Sequence, residues 1–157
     1  MKKHITIAVL AALALFGGVQ PSEAATKKKT SSASSLIASY LGGTSISKAS
    51  ASKLKKAFAK ALKKNPGMAD QLLATILKSS KINGNPDLVI SLASSAASAN
   101  PGMAAQIFSV ATSRLAGNSQ AIVSLAKTIV AAAPQAKTVI AQAAAANTGG
   151  KVRSNEI

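Results

Sequence analysis

The chain has 157 residues and a formal net charge of +15, from 19 lysines and arginines against four acidic residues. It contains no cysteine, and its one histidine, His4, lies at the amino terminus. Beyond that histidine, the sequence lacks the usual general base, the thiolate nucleophile and the His and Cys ligands of zinc and haem. The length suits a single domain, which must be held together by helix packing because disulfides are excluded.

Residues 1–24 have the pattern of a secretory signal peptide. A basic segment at 1–4 precedes a largely apolar run at 5–16, and Ser22-Glu23-Ala24 places small residues where a signal peptidase cleaves. The apolar run has 12 residues, whereas a membrane-spanning helix needs about 20. We therefore predict cleavage after Ala24 and export of the mature protein, which is either periplasmic or secreted.

Residues 25–46 are predicted to form a flexible, basic and serine-rich lead-in that contains one short helix. Three consecutive lysines at 27–29 and a cluster of serines are typical of a solvated linker. The apolar segment 36–41 is suited to the helix, and Gly42-Gly43 would end it.

Residues 47–150 are predicted to form a helical repeat domain, followed by a tail at 151–157. The segments 65–71 and 100–106 both begin Asn-Pro-Gly-Met-Ala and lie 35 residues apart. Asn-Pro favours a helix start, because Asn accepts from the first-turn amides and Pro gives up an amide that would be unpaired. The pair occurs at 65, 85 and 100, and Gly84, Gly117 and Gly150 fall where helices should end.

Alignment on Pro66, Pro101 and Pro134 predicts three helical hairpins, at about 47–81, 86–116 and 119–147. Apolar residues recur at helical spacing in all three units, which is a stronger signal than one amphipathic window. We predict an all-α protein in which tandem hairpins of about 33–35 residues form a short α-solenoid-like stack. A closed helical bundle is the alternative. The aligned positions are Leu54, Val89 and Ile122 in the first helices, and Leu72, Ile107 and Ile140 in the second helices.

The mature sequence offers no constellation of residues for catalysis, metal binding or cofactor binding. Asp70, Asp87 and Glu156 fall in different units or in the tail, whereas paired-carboxylate hydrolysis and hard-cation binding need converging oxygens. Asp70 and Asp87 are expected near helix starts, where a negative charge is stabilised by the helix dipole. Ser-x-x-Lys occurs three times, but the Ser-Asp-Asn and Lys-Thr-Gly elements of penicillin-recognising enzymes are missing. We therefore predict a protein that is not an enzyme and needs no cofactor.

The basic residues are concentrated in the amino-terminal half. Twelve lysines lie between positions 27 and 81, where Asp70 is the single acid. Five of them fall within an arc of about 100° on the first repeat helix, opposite Leu54, Phe58 and Leu62. Lys55 departs from this division. We call the five lysines the lysine face; they are Lys53, Lys56, Lys60, Lys63 and Lys64.

The lysine face has three interpretations. The simplest is a solvated surface, although five cations without acidic neighbours one turn away repel each other. The second is electrostatic docking on an anionic envelope surface: phospholipid headgroups, lipopolysaccharide phosphates or an acidic polymer. The third is nucleic acid, and export argues against it, as does the lack of aromatic stacking residues among the lysines.

From these patterns we predict an exported, non-catalytic binding module that docks electrostatically through the lysine face. The alternative is a structural protein that self-associates through Leu and Ile stripes of the third hairpin and the small residues 143–146. A third class is the precursor of an antimicrobial peptide, which would require proteolysis near Asn65-Pro66 or within 25–47 to release the basic helix.

Overall fold

The computed structural model describes residues 32–151, 153, 155 and 157. The chain divides into two units, 1–30 and 31–157, and the described residues belong to the second. The proposed signal peptide and residues 25–31 of the lead-in lie outside the described residues, so the signal peptide and the flexible basic start of the lead-in stay predictions. Every regular element in the described part is a helix, which confirms the all-α fold class.

The described part contains eight α-helices and three short 3-10 turns that each start at a proline. The α-helices are α1 (Ala33–Tyr40), α2 (Ala51–Lys64), α3 (Ala69–Ile76), α4 (Ser80–Asn83), α5 (Pro86–Ala99), α6 (Ala104–Thr112), α7 (Ser119–Ala132) and α8 (Lys137–Asn147). The 3-10 turns are Pro66–Met68, Pro101–Met103 and Pro134–Ala136, immediately before α3, α6 and α8.

The three hairpins repeat one backbone pattern. Their first helices, α2, α5 and α7, each have 14 residues and are followed by the proline turn. The residue before each proline leaves the helical conformation, with φ of −137° at Asn65, −143° at Asn100 and −142° at Ala133. A proline ring disfavours the α conformation of the residue before it, so the proline spacing sets the period of the repeat.

The order of packing follows the order of the chain. Helix α5 packs on α2 and, most extensively, on α7; likewise α6 packs on α3 and α8. Helix α1 packs on both α2 and α3. These contacts agree with tandem hairpins, and the open stack itself stays a prediction. The aligned apolar positions all lie in the buried core: Leu54, Leu72, Val89, Ile107, Ile122 and Ile140.

Several helix boundaries differ from the prediction. The first hairpin was expected to continue to 81, but α3 ends at Ile76 and the single turn α4 follows. Ser79 separates the two because its backbone is extended, with φ −75° and ψ 127°. Helix α6 ends at Thr112 instead of 116, whereas the third hairpin begins at Ser119 and ends at Asn147, as predicted.

The short helix predicted in the lead-in is present and begins three residues earlier, at Ala33. The Ser32 hydroxyl accepts a hydrogen bond from the Ser35 amide at 3.2 Å, which caps the first turn. Gly42 and Gly43 follow the helix with φ of +59° and +80°, a backbone conformation that favours glycine. The predicted glycine stop is therefore confirmed.

The predicted asparagine caps hold at one of three sites. The Asn85 carbonyl Oδ1 accepts from the Leu88 amide at 3.1 Å and caps α5. The prediction is wrong at Asn65 and Asn100, whose side chains cap no helix. At these two sites the proline turn supplies backbone partners instead. The Met68 amide donates to the Asn65 carbonyl at 3.1 Å, and the Met103 amide donates to the Asn100 carbonyl at 3.0 Å.

The two asparagines before the turns donate hydrogen bonds instead. Asn65 Nδ2 donates to the Ala61 carbonyl of its own helix at 3.3 Å. Asn100 Nδ2 donates to the Pro66 carbonyl at 3.1 Å, across 34 residues of chain. The second proline turn is therefore hydrogen-bonded to the first. Ala133 stands at the third turn and has no side-chain donor.

Candidate functional site

Helix α2 presents one apolar and one cationic side. Its sequence is almost entirely Ala, Lys and Leu, which are strong helix formers, and the Ser50 hydroxyl accepts from the Lys53 amide at 3.4 Å at its start. Lys63 and Lys64 lie in the last turn, where positive charge is stabilised by the helix dipole. The buried side chains of α2 are Leu54, Ala57, Phe58, Ala61 and Leu62.

Every lysine of α2 is exposed to solvent, and the helix brings the five of the lysine face together on one side. These are Lys53, Lys56, Lys60, Lys63 and Lys64, spaced three or four residues apart along most of the helix. Lys55, which departs from the face in the sequence, is also exposed and lines a shallow cavity with Asp87 at the start of α5. The three lysines at 27–29 lie outside the described residues.

No acidic residue in α2 offsets these charges. The described acids, Asp70 and Asp87, lie in the first turns of α3 and α5, which confirms their predicted positions at helix starts. Asp70 is half-buried, and its Oδ1 is buried without a hydrogen-bond partner in the described part of the protein. The lysine face therefore combines close spacing of like charges with full access to solvent.

The apolar side of α2 is already occupied by the core. Phe58 is 1% exposed and Leu62 is 5% exposed. Insertion of this helix into a lipid bilayer would require these residues to leave the protein interior, so surface docking is the mode compatible with the folded hairpin. Within the described residues, no helix combines the length and hydropathy needed to cross a membrane.

The described residues contain no group of three or more His, Cys, Asp or Glu side chains that could hold a metal ion. One of the three Ser-x-x-Lys segments has a clear structural role, because Ser50 is the amino-terminal cap of α2. Ser45 and Ser47 lie in the connection between α1 and α2, with their hydroxyl oxygens 3.3 Å apart.

The apolar stripes of the third hairpin are not left open for self-association. Leu125, Ile129 and Ile140 are completely buried. Val139 is the large apolar residue that remains exposed in the described part, at 55%. Among the small residues at 143–146, Ala144 is buried and Ala146 is exposed. A joint between copies through the Leu and Ile side chains of this hairpin is therefore excluded in the folded state.

One family model matches part of the chain. It is described as programmed cell death protein 10, dimerisation domain, and it matches residues 45–83, about a quarter of the sequence. The matched residues comprise α2, α3 and α4, and they include the whole lysine face. No curated protein and no solved structure matches the chain.

Proposed function

We propose that this protein is an exported, non-catalytic binding module that docks on an anionic envelope surface through the lysine face. Phospholipid headgroups, lipopolysaccharide phosphates and acidic polymers carry the required charge. The observation that carries the proposal is the arrangement of α2, which presents five solvent-exposed lysines on one side, contains no acid and buries its apolar side.

The energetics favour a surface that binds anions over one that only aids solubility. Each lysine close to an anionic membrane contributes about 1 kcal/mol, so five lysines on one face supply useful affinity. The same lysines repel one another when no anion is near. Because all five are exposed, the attraction is screened by salt, with a Debye length of about 10 Å at 0.1 M and 3 Å at 1 M.

The direct test is co-sedimentation of the purified protein with lipid vesicles. We expect binding to vesicles that contain anionic lipid, no binding to neutral vesicles, and loss of binding at high salt. Equal binding to anionic and neutral vesicles would contradict the proposal, because it would indicate apolar insertion. Retention of binding in 1 M salt would contradict it as well.

A pair of double variants tests whether the lysine face is the contact surface. Lys56→Gln with Lys60→Gln removes two charges from its centre and should weaken vesicle binding by about 2 kcal/mol, roughly 30-fold. Lys127→Gln with Lys137→Gln removes the same charge from exposed positions of the third hairpin and is the matched control. Equal losses in the two variants would show that net charge matters and the face does not.

Self-association is a second candidate function, supported by the match of residues 45–83 to a family model described as a dimerisation domain. If copies meet through this segment, their lysine faces come close and repel. Dimerisation should then strengthen with salt, which is opposite to the salt effect on vesicle binding. Sedimentation over a range of protein concentrations measures it. A monomer at every concentration and salt level would exclude this candidate.

Export rests on the signal-peptide pattern of residues 1–24. Expression of the full gene in a bacterial host, with mass measurement of the extracytoplasmic product, tests it. A mature protein that starts at Ala25 is expected. A full-length product confined to the cytoplasm would remove the envelope surface from the list of partners.

A further inference from the structure

A cavity of about 450 Å³ lies in the first hairpin, between α1, the connection from α1 to α2, and the turn from α3 to α4. This volume is within the range of about 300–1,000 Å³ that is typical of small-molecule sites. Ala38 and Ile46 contribute apolar walls, and Lys78 contributes a positive charge. The remaining lining residues all carry a hydroxyl group: Ser34, Ser45, Ser47, Thr75 and Ser79.

Ser79, one of the residues that line this cavity, carries a hydroxyl group without a partner among the described residues. The residue is only 2% exposed, and its Oγ is buried with no hydrogen-bond partner in the described part of the chain. Ser79 precedes α4 in the position of a helix cap, yet its side chain makes no cap hydrogen bond. A buried hydroxyl without a partner lowers the stability of a fold. The Ser79 Oγ is closed off from solvent although the residue lines the cavity, so contact with a bound ligand requires the Ser79 side chain to rotate about χ1.

The charge in and around the cavity selects an anion. Lys78 is exposed at the cavity and no carboxylate is among the lining residues. Hydroxyl groups and an ammonium group all donate hydrogen bonds to an oxyanion, and bonds to a charged acceptor are the stronger kind. The apolar walls at Ala38 and Ile46 suit a short hydrocarbon body.

We propose that this cavity binds a small amphiphilic carboxylate, with its head group at Lys78 and Ser79 and its hydrocarbon body against Ile46. The site is separate from the lysine face and does not depend on the docking function. It is also specific to the first hairpin, because α1 packs there. In the second hairpin, 35 residues later, Ser113 takes the place of Lys78 and Arg114 takes the place of Ser79, and both are exposed. The Ser113 hydroxyl already donates to the Val110 carbonyl at 2.8 Å.

The first experiment compares four probes by calorimetric titration of the full chain at moderate salt. Octanoate carries both the head and the body; octanol, octylammonium and acetate each lack one of the required features. We expect saturable one-to-one binding of octanoate, and affinities at least about tenfold weaker for the other three, given the strength of charge-assisted hydrogen bonds. Equal affinity for octanol or octylammonium would overturn the proposal, and so would no binding of octanoate.

Two variants with neighbouring controls locate the site. Lys78→Gln and Ser79→Ala should each weaken octanoate binding about tenfold or more, because each removes one donor to a charged group. Lys81→Gln and Ser80→Ala are exposed neighbours that do not line the cavity, and they should leave the affinity unchanged. Lys56→Gln with Lys60→Gln should also retain octanoate binding, which separates this site from the lysine face.

Stability without ligand distinguishes a binding role of Ser79 from a structural one. Removal of an unpartnered buried hydroxyl should leave the unfolding midpoint of Ser79→Ala unchanged or higher than that of the wild type. A clear fall in the midpoint would mean that the hydroxyl caps α4 in solution. Together with unchanged octanoate affinity, that result would overturn the assignment of Ser79 to the site, and unchanged affinity in Lys78→Gln would overturn the site itself.

Discussion

The first and third hairpins have the same backbone plan and very different surfaces. Their first helices, α2 and α7, both have 14 residues and both end two residues before a proline. Helix α2 contains six lysines, whereas α7 contains Lys127 alone. Both helices bury an apolar side against the same core. Proline spacing and buried apolar positions therefore specify the hairpin, and the exposed positions of the repeat are free to differ.

The interiors of the hairpins differ as well, and the position of Phe58 is one example. Phe58 in α2 corresponds to Ala93 in α5 and Ala126 in α7, and all three are buried. Replacing Phe58 with Ala would give the first hairpin the residue of the other two but would leave a cavity, because its surroundings are packed around a ring. We expect a loss of about 3–5 kcal/mol in the free energy of unfolding, measured by urea denaturation.

The control for this variant is Lys60→Ala, an exposed position in the same helix, where Ala and Lys have similar helix propensity. It should leave the unfolding free energy nearly unchanged. If Phe58→Ala cost no more than the control, the first hairpin would not be packed as described.

The second proline turn has a side-chain hydrogen bond that the third turn lacks, and one substitution removes this difference. Asn100 bonds the second turn to the first, while Ala133 occupies the corresponding backbone conformation at the third turn. Asn100→Ala therefore removes the side-chain bond without straining the backbone. We expect a loss of about 1 kcal/mol, the usual net value of one hydrogen bond, measured by thermal and urea unfolding.

Asn65→Ala is the comparison for that variant. The Asn65 side chain donates only to the end of its own helix, over the longer distance of 3.3 Å. The loss of stability in Asn65→Ala should therefore be smaller than in Asn100→Ala. An Asn100→Ala protein as stable as the wild type would mean that the bond between turns adds nothing to the fold.

The smallest expected effect is on the free energy of unfolding, which repulsion among the lysines of the lysine face lowers. Lys56 and Lys60 are one turn apart, and each is one turn from a further lysine of the face. Lys56→Gln with Lys60→Gln should raise the stability at low salt by about 0.5 kcal/mol through relief of this repulsion. Lys127→Gln with Lys137→Gln has no such neighbours to relieve and should change little.

Salt provides the internal check on this last prediction. In 1 M salt the Debye length falls to about 3 Å, and the gain in stability from the lysine variant should disappear. A gain that persists at high salt would indicate a change in packing or helix propensity instead of electrostatic relief.

The all-α class and the buried positions could be predicted because they depend on periodicity along the chain. Leu54, Val89 and Ile122 align at one repeat position, and the structure buries all three. The exposure of the lysine face follows from the same reasoning, since a helix that buries Phe58 and Leu62 must turn its other side to solvent.

The features that could not be predicted depend on contacts between distant segments. The bond from Asn100 to Pro66 spans 34 residues, and the local Asn-Pro pattern suggests a helix cap instead. The cavity at Ser79 is formed by α1, a loop and a turn whose conformations are set by tertiary packing. No sequence pattern marks it, because its hydroxyl residues come from three separate parts of the chain.

The turn bond has a consequence for how the chain could become longer. The Asn100 side chain bonds to the proline turn of the preceding hairpin. Asn65 occupies the equivalent position in the first hairpin, which no proline turn precedes within the described residues, and its side chain donates to its own helix instead. A tandem duplication of one period, residues 66–100, would carry its own asparagine and recreate the bond at the new junction. Duplication of the last period, residues 101–133, would not recreate this bond, because Ala133 has no side-chain donor. The internal unit is therefore the one suited to growth of the repeat by gene duplication.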